Sequence, residues 1–472
     1  MSTASLEETG QRSHTALFRW PDILLLGARF LLLVIAANVV VRFVCTEIVE
    51  FDCPPRWPVS EGYFRTPRGR DLFAVLAVGA VFYLTVRYLP RVTSKIAYVV
   101  VVGTALVLGT NLIQGVEDGL VRPIAGGGEE GIQYYQDAIQ IQNPAAFLAD
   151  YEQLQPELLL HSRTHPPGAV LLIYGLNRLL GRPWLVSAAI GIVSVTLTAV
   201  FMQRILVEEL ANAGLSRYVT LLLLLVPAIQ VYYVASLDAV IASLLLGALY
   251  CAFYARSRAS LIGLVLLLLF SSFLTFGWIF VLPIVFGFEI LKRKSAWRSS
   301  ISLLSVAAVY AIVYAVSGFN YARSFSIASA LENPEGFRLF SEPASYLFTR
   351  LEGVFEIILF FGPFLGALTI RGLRGAVSRG SGRTMSVWAA VGRYPTLVLT
   401  GLAVLTLLGM LVTGAFKTGE TARVCSFIYP YLMFPVARYL TWARPTLWER
   451  KKLLYLVFAQ TLLMQTFGHY FW

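Results

Sequence analysis

The chain is short of charged residues, and this shortage limits the class of protein to which it can belong. Asp, Glu, Lys and Arg make up 14% of the 472 residues, whereas 57% are hydrophobic. Soluble domains carry about 25% charged residues, because their surface must be polar. A mean hydropathy of +0.69 therefore excludes an ordinary soluble fold and predicts an all-α protein with many membrane-spanning helices.

Other shortages exclude further classes. Four cysteines are too few for a disulfide-built scaffold, although Cys45 and Cys53 are near enough to form one bridge or to remain two thiols. The net charge of +11 is spread in short clusters, and without a continuous basic stripe it does not indicate nucleic-acid binding. The polar segment 1–22 lacks a signal-peptide pattern and is predicted to be a cytoplasmic tail.

Long apolar runs fill most of the remaining sequence. Because a membrane-spanning helix needs about 20 apolar residues, the runs predict about 13 spans within a single transmembrane domain, residues 23–472. They are centred on residues 23–45, 72–89, 96–113, 184–204, 217–234, 238–255, 260–275, 277–292, 299–317, 351–370, 394–414, 424–441 and 453–470. We recognise no soluble catalytic domain, and chemistry is therefore expected in the loops and at the helix ends.

Lys and Arg cluster in alternate loops, as is typical of the cytoplasmic loops of multi-pass proteins. Their distribution predicts three sizeable segments on the non-cytoplasmic face, residues 114–183, 318–350 and 415–423. One loop resists the pattern: residues 46–71 fall on that face and yet contain Arg56, Arg65, Arg68 and Arg70. We expect a protein of a bacterial plasma membrane whose functional face is outside.

The longest polar stretch covers residues 129–168. Apolar residues recur at helical spacing on both sides of Asn143-Pro144, which predicts two short helices along the membrane surface. Their polar faces are expected to carry Glu130, Tyr134 and Asp137. The His-Pro-Pro sequence at 165–167 predicts the start of another helix, since proline is tolerated in the first turn.

This order of features resembles the first outside loop of the GT-C superfamily, the integral-membrane glycosyltransferases that use polyprenyl-phosphate-linked sugars. In many members an Asp-Glu pair, a tyrosine-rich stretch and a His-Pro-Pro turn follow one another. Here the acidic pair is Glu129-Glu130, followed by Tyr134-Tyr135 and Asp137, so the usual aspartate is replaced. Two later stretches are also similar to protein O-mannosyltransferase-like and aminoarabinose-transferase-like members: PAIQVYYVASLD at 227–238 and GETARVCSFIYPYL at 419–432.

The resemblance implies an inverting transfer of a sugar from a polyprenyl-phosphate donor to a lipid, glycan or protein acceptor. Such a transfer needs a carboxylate that takes the proton of the acceptor hydroxyl. Asp137 and Glu130 are the candidate bases, because seven residues along a helix place both on one face. Asp118 is a weaker candidate, and the alternative is that these acids simply face water.

The transfer also needs positive charge, from side chains or a divalent metal ion, to stabilise the departing phosphate. Arg423 and Lys417 are the candidate phosphate contacts, since Arg binds phosphate with two parallel hydrogen bonds and Lys supplies a point charge. Snorkelling towards lipid headgroups is the alternative. Arg323 and Arg338 are weaker candidates for the same role.

Six residues are expected to contact the substrate or to hold the turns around it: Tyr134, Tyr135, His161, His165, Asp238 and Glu420. The two histidines have the spacing of metal ligands on a helix, but Pro166 disfavours helix at His165 and no HExxH motif is present. Asp238 is either functional, because acids between apolar runs are costly, or a helix cap. No metal ligand is assigned, and a requirement for a divalent metal ion stays open.

Two other functions compete with this interpretation. A transporter or lipid flippase would place charged residues in broken helices near the middle of the membrane. The middles of the predicted spans are free of charge and the polar residues crowd one face, which favours an enzyme at the membrane surface. A glycan polymerase or ligase would share the lipid-phosphate donor and differ only in the group transferred.

Overall fold

A computed structural model describes residues 17–49, 56–59, 62–126, 133–255, 257, 259–334, 336–380, 392–414 and 419–470. The structure is 82% helical, which confirms the prediction of a nearly all-α protein. Two short strands, β1 (Tyr63–Phe64) and β2 (Gly468–His469), pair antiparallel and join an early segment to the end of the described chain. Cys45 is disulfide-bonded, whereas Cys251 and Cys425 are free. Cys53, the fourth cysteine, lies outside the described residues.

The first half of the fold contains short helices between longer ones. They are α1 (Trp20–Phe43), α2 (Gly69–Arg87), α3 (Leu89–Val92), α4 (Ile96–Leu112), α5 (Arg122–Ala125), α6 (Tyr134–Gln140), α7 (Pro144–Ala149), α8 (Tyr151–Leu154), α9 (Leu160–Arg163), α10 (Pro167–Leu180), α11 (Pro183–Leu210), α12 (Ala213–Leu224) and α13 (Pro227–Tyr232). Wider π-helical turns follow α1 at Val44–Val49 and precede α5 at Glu117–Val121.

The second half carries the remaining long helices. They are α14 (Leu237–Phe253), α15 (Ala259–Leu274), α16 (Leu282–Arg293), α17 (Trp297–Ser317), α18 (Tyr321–Glu332), α19 (Pro343–Phe361), α20 (Pro363–Gly380), α21 (Pro395–Thr413), α22 (Thr421–Val424), α23 (Ile428–Ala443) and α24 (Leu447–Phe467). Two 3₁₀ turns, Gln155–Glu157 and Phe276–Val281, complete the helical segments of the described chain.

Five helical segments of the described chain are long and apolar enough to cross a membrane, and a sixth is formed if one bent pair counts as a single span. They are Trp20–Ile48, Gly69–Arg87, Pro183–Leu210, Trp297–Ser317, Pro395–Thr413 and the bent pair α19 and α20. The predicted number of about 13 is not confirmed. Several predicted spans are instead shorter apolar helices, such as α4 with 17 residues and α15 with 16.

Two of the predicted spans are broken by glycine or proline. The predicted span 217–234 divides before Pro227, which cannot donate a backbone hydrogen bond to the preceding turn and starts α13 instead. The predicted span 351–370 bends by 98° between α19 and α20. Gly362 adopts φ +89° at the bend, a conformation favourable only to glycine, and Pro363 starts the next helix.

The core lies around α13 and the first turns of α14, where nearly every side chain is buried. Gln230 of α13 is fully buried and its polar groups are satisfied, since its side chain accepts from Thr110 at 2.9 Å and its carbonyl from Asn111 at 2.7 Å. By contrast, only 6% of the apolar window of α1 is buried inside the protein. The start of α14 therefore lies in a closely packed part of the described chain.

The predicted break at Asn143-Pro144 is confirmed. The Asn143 side chain accepts from the amide of Ala145 at 3.0 Å and caps α7, while α6 has ended three residues earlier. The predicted helix after the His-Pro-Pro turn is also present and begins at Pro167. Residues 133–180 thus form a chain of short helices rather than an extended loop.

Candidate active site

A cavity of about 370 Å³, the Asp238 cavity, opens between the first loop, the start of α14, helix α18 and the turn at α22. Six residues predicted from the sequence line it: Tyr134, His161, His165, Asp238, Glu420 and Arg423. They come from segments separated by almost 300 positions in the chain. The cavity is the place where the polar first loop meets the late turn at 419–424.

An ion cluster lies in one wall of the Asp238 cavity. Arg423 is only 6% exposed. Its Nε lies 3.3 Å from Oδ2 of Asp238, and its Nη2 donates a hydrogen bond to Glu420. Burial lowers the pKa of the Arg423 guanidinium, but the Glu420 and Asp238 carboxylates raise it by a larger amount. The net shift of the pKa is therefore upward. The guanidinium is therefore charged and fixed in orientation by two carboxylates.

Asp238 does not act as the cap of α14. Ser236 occupies the cap position, and its hydroxyl accepts from the Asp238 amide at 3.1 Å. The carboxylate of Asp238 accepts from the Ser236 hydroxyl at 3.3 Å and also faces Arg423 and the cavity. The backbone carbonyl of Asp238 accepts from Ser426 at 3.4 Å, which joins α14 to the turn after Arg423.

The turn that carries Arg423 is positioned by α19. Glu356 is fully buried and accepts from the Thr421 amide at 2.9 Å, at the first turn of α22. Gly353 allows the close approach, because a Cβ there would lie 2.8 Å from the Thr421 hydroxyl oxygen. The expectation that the middles of the spans are free of charge is therefore wrong for α19, where Glu352 and Glu356 are 1% and 0% exposed.

Two histidines and a tyrosine form the wall on the first-loop side. The Tyr134 ring packs against both imidazoles, with centroids 5.8 Å from His161 and 5.4 Å from His165. The turn is held by Tyr151, whose hydroxyl donates to the His165 carbonyl at 2.6 Å. Burial lowers the pKa of His165, although Asp238 and the hydrogen bond to the His161 carbonyl partly oppose the shift. Burial therefore favours the neutral form of the His165 imidazole.

Asp137 and Tyr135 lie outside the lining of the cavity. The Asp137 carboxylate accepts from the Leu159 amide at 3.1 Å, and burial raises its pKa. Tyr135 donates to Asn177 at 2.8 Å and fastens α6 to α10. Both side chains hold the first loop together.

The other predicted positions are distributed as follows. Glu130 and Lys417 lie outside the described residues. Asp118 pairs with Arg122 at 3.1 Å and lines a different cavity. Arg323 and Arg338 do not line the Asp238 cavity.

Helix α18 forms a wall that the sequence did not predict. Phe325, Ser329 and Glu332 face the cavity from it. The hydroxyl of Ser324 donates to Gln155 at 2.9 Å, which ties α18 to the first loop. The lining positions are three to four residues apart, which is the spacing of one helix face. This periodicity within the predicted segment 318–350 could have indicated the helix from the sequence.

Within the described part of the chain, no three His, Cys, Asp or Glu side chains come together as a metal-binding set. Asp238 and Glu420 instead share Arg423. Comparisons with protein-family models, curated proteins and solved structures give no match for this chain.

Proposed function

We propose that the protein is a membrane glycosyltransferase of the GT-C type, which moves a sugar from a polyprenyl-phosphate donor to an acceptor hydroxyl in the Asp238 cavity. The observation that carries the proposal is the ion cluster of Asp238, Glu420 and Arg423, which faces His165 across a cavity of about 370 Å³. A carboxylate and a fixed guanidinium in one cavity are the two groups that such a transfer requires.

In the proposed reaction, the acceptor oxygen attacks the anomeric carbon while the bond from that carbon to the phosphate oxygen breaks. The phosphate leaves with the bonding electron pair, and Arg423 stabilises its charge. The acceptor proton passes to the Asp238 carboxylate. Glu420 holds Arg423 in place, since its carboxylate accepts a hydrogen bond from Nη2. Attack opposite the leaving group inverts the configuration at the anomeric carbon.

Asp238 is a better candidate for the base than Asp137. The Asp238 carboxylate lines the cavity, whereas that of Asp137 accepts from the Leu159 amide away from it. Glu130 remains a second candidate on the strength of its place in the acidic, tyrosine-rich stretch. Apolar side chains such as Ile241, Leu245 and Phe280 also line the cavity and suit the first isoprene units of a lipid donor.

The experiment is a transfer assay with purified protein in lipid nanodiscs and a panel of radiolabelled polyprenyl-phosphate sugars, with and without EDTA and Mg²⁺. Asp238→Asn should lower the transfer rate by about 100- to 10,000-fold, because it removes the base and keeps the shape of the side chain. Asp137→Asn, as the matched control, should stay near wild type, and Glu130→Gln tests the second candidate. Full activity in Asp238→Asn would contradict this assignment of the base.

A second candidate function is transport or lipid flipping, and one observation favours it. Glu352 and Glu356 are buried in α19, and the chain bends by 98° between α19 and α20. Buried acids beside a discontinuous helix are typical of transport pathways. If no donor in the panel is turned over, proteoliposomes containing a fluorescent phospholipid should show protein-dependent flipping that Glu356→Gln abolishes. Turnover without flipping would exclude this alternative.

A further inference from the structure

A second cavity, the Arg68 cavity, has a volume of about 480 Å³ and is lined by Arg65, Arg68, Arg70 and Arg122 together with three acids. It adjoins the Asp238 cavity, because two consecutive residues of α5 line the two cavities. Arg122 lines the Arg68 cavity and Pro123 lines the Asp238 cavity. Three of the four arginines belong to the loop at 46–71, whose positive charge conflicts with the predicted orientation.

The walls of the Arg68 cavity are fastened to one another. The backbone amide of Arg65 donates to the Phe467 carbonyl at 2.8 Å, which extends the pairing of β1 with β2. The guanidinium Nε of Arg65 donates to the Thr466 carbonyl at 3.1 Å. Gln114 is buried and donates to Gln465 at 2.7 Å. The cavity is a built feature of the fold, made where the segment after β1, the end of α4 and the end of α24 meet.

Two of the arginines serve the structure, and two are available to a ligand. Arg65 pairs with Asp71 at 2.5 Å, and Arg122 pairs with Asp118 at 3.1 Å. Arg70 approaches Asp71 only through Nε, at 3.6 Å, and its side chain is 65% exposed. Arg68 is exposed, and its side chain forms no ion pair with any described residue. The lining acid that has no ion pair with a described residue is Glu117.

We propose that the Arg68 cavity binds a phosphate group, either that of a phospholipid headgroup or a free phosphate, through Arg68 and Arg70. Guanidinium groups bind phosphate oxygens with paired hydrogen bonds and remain charged at every physiological pH. Arg68 and Arg70 are exposed and line the same concave cavity, so their guanidinium donors can reach a phosphate group that enters it. This site is independent of sugar transfer, and its test does not require that any donor be turned over.

The test measures binding to the full-length protein in non-ionic detergent by native mass spectrometry. The probes are a short-chain phosphatidic acid, the matching diacylglycerol without phosphate, and inorganic phosphate. Arg68→Gln combined with Arg70→Gln should weaken binding of phosphatidic acid by about tenfold or more, because both charged donors to the phosphate oxygens are removed. The matched control combines Arg87→Gln with Arg91→Gln, which removes two exposed arginines at and just beyond the other end of α2. It should bind as the wild type does.

The three probes distinguish a phospholipid headgroup from a free phosphate as the ligand. Displacement of phosphatidic acid by inorganic phosphate supports a site for the phosphate group alone, whereas binding that only the lipid achieves supports a headgroup site. Equal binding by both double variants would overturn the proposal, because the arginines would then be merely solvated. Equal binding of diacylglycerol and phosphatidic acid would overturn it as well.

Discussion

The two neighbouring cavities hold their positive charges in opposite ways. In the Asp238 cavity, Arg423 is 6% exposed and lies against two carboxylates. In the Arg68 cavity, Arg68 and Arg70 are exposed at the mouth. A buried charge must be paired during folding, and its geometry is then fixed in advance of any reaction. An exposed charge stays hydrated until a ligand replaces the water. The first arrangement suits chemistry and the second suits reversible binding.

The largest expected effect tests this difference directly. Arg423→Leu should destabilise the protein by about 3–5 kcal/mol, because it leaves the Asp238 and Glu420 carboxylates together without their counter-charge. Arg68→Leu should change stability by less than about 0.5 kcal/mol, as is usual at an exposed position. The measurement is the free energy of unfolding in mild detergent, from titration with a denaturing detergent.

A rescue variant separates charge from packing in the same measurement. Adding Glu420→Gln to Arg423→Leu removes one of the uncompensated carboxylates and should restore part of the lost stability. Equal stability losses in Arg423→Leu and Arg68→Leu would show that the two cavities do not differ in the way described.

The sequence carried enough information to bring most of the site together but not to choose its acid. Tyr134, His165 and Arg423 were recognised because polar residues stand out against apolar runs, and the structure places them in one cavity. The sequence indicated Asp137 and Glu130 as candidate bases and Asp238 as a functional residue or a helix cap, because it does not show which carboxylate lines the cavity. Asp137 finds the Leu159 amide, 22 residues away in the chain.

The predicted number of spans is not confirmed, and the shape of the helices shows what hydropathy alone does not report. Hydropathy averages over a window, and one glycine with a positive φ does not change the average. Gly362 nevertheless bends the chain by 98° within the predicted span 351–370. The long helix α17 was predicted to within two residues at both ends, whereas α11 begins one residue before its predicted start and continues six residues beyond its predicted end.

The next largest change in the free energy of unfolding is expected from substitutions of Asp137 and Asp118. Asp137→Ala should destabilise the protein by about 1–3 kcal/mol, because the Leu159 amide loses a charged acceptor. Asp118→Ala, which breaks the exposed pair with Arg122, should cost no more than about 1 kcal/mol. Asp137→Asn keeps an acceptor oxygen and should recover most of the loss. A larger loss of stability in Asp118→Ala than in Asp137→Ala would contradict this order.

The smallest effect is a pH dependence of stability to which His165 of the Asp238 cavity should contribute. Burial holds the pKa of His165 in the folded state below its ordinary value of 6.5, so the unfolded chain binds the proton more readily. The contribution of His165 to the free energy of unfolding is therefore complete above pH 6.5. It is lost as the pH falls towards the lowered pKa, by at most about 1.4 kcal/mol per pH unit. Asp137 contributes with the opposite sign, because its pKa is raised. Between pH 7.5 and pH 5.5, the free energy of unfolding should thus decrease more in the wild type than in His165→Gln. The Arg68→Gln variant should show the same pH dependence as the wild type, since guanidinium groups do not titrate in this range. An unchanged pH dependence in His165→Gln would show that His165 is not the group responsible.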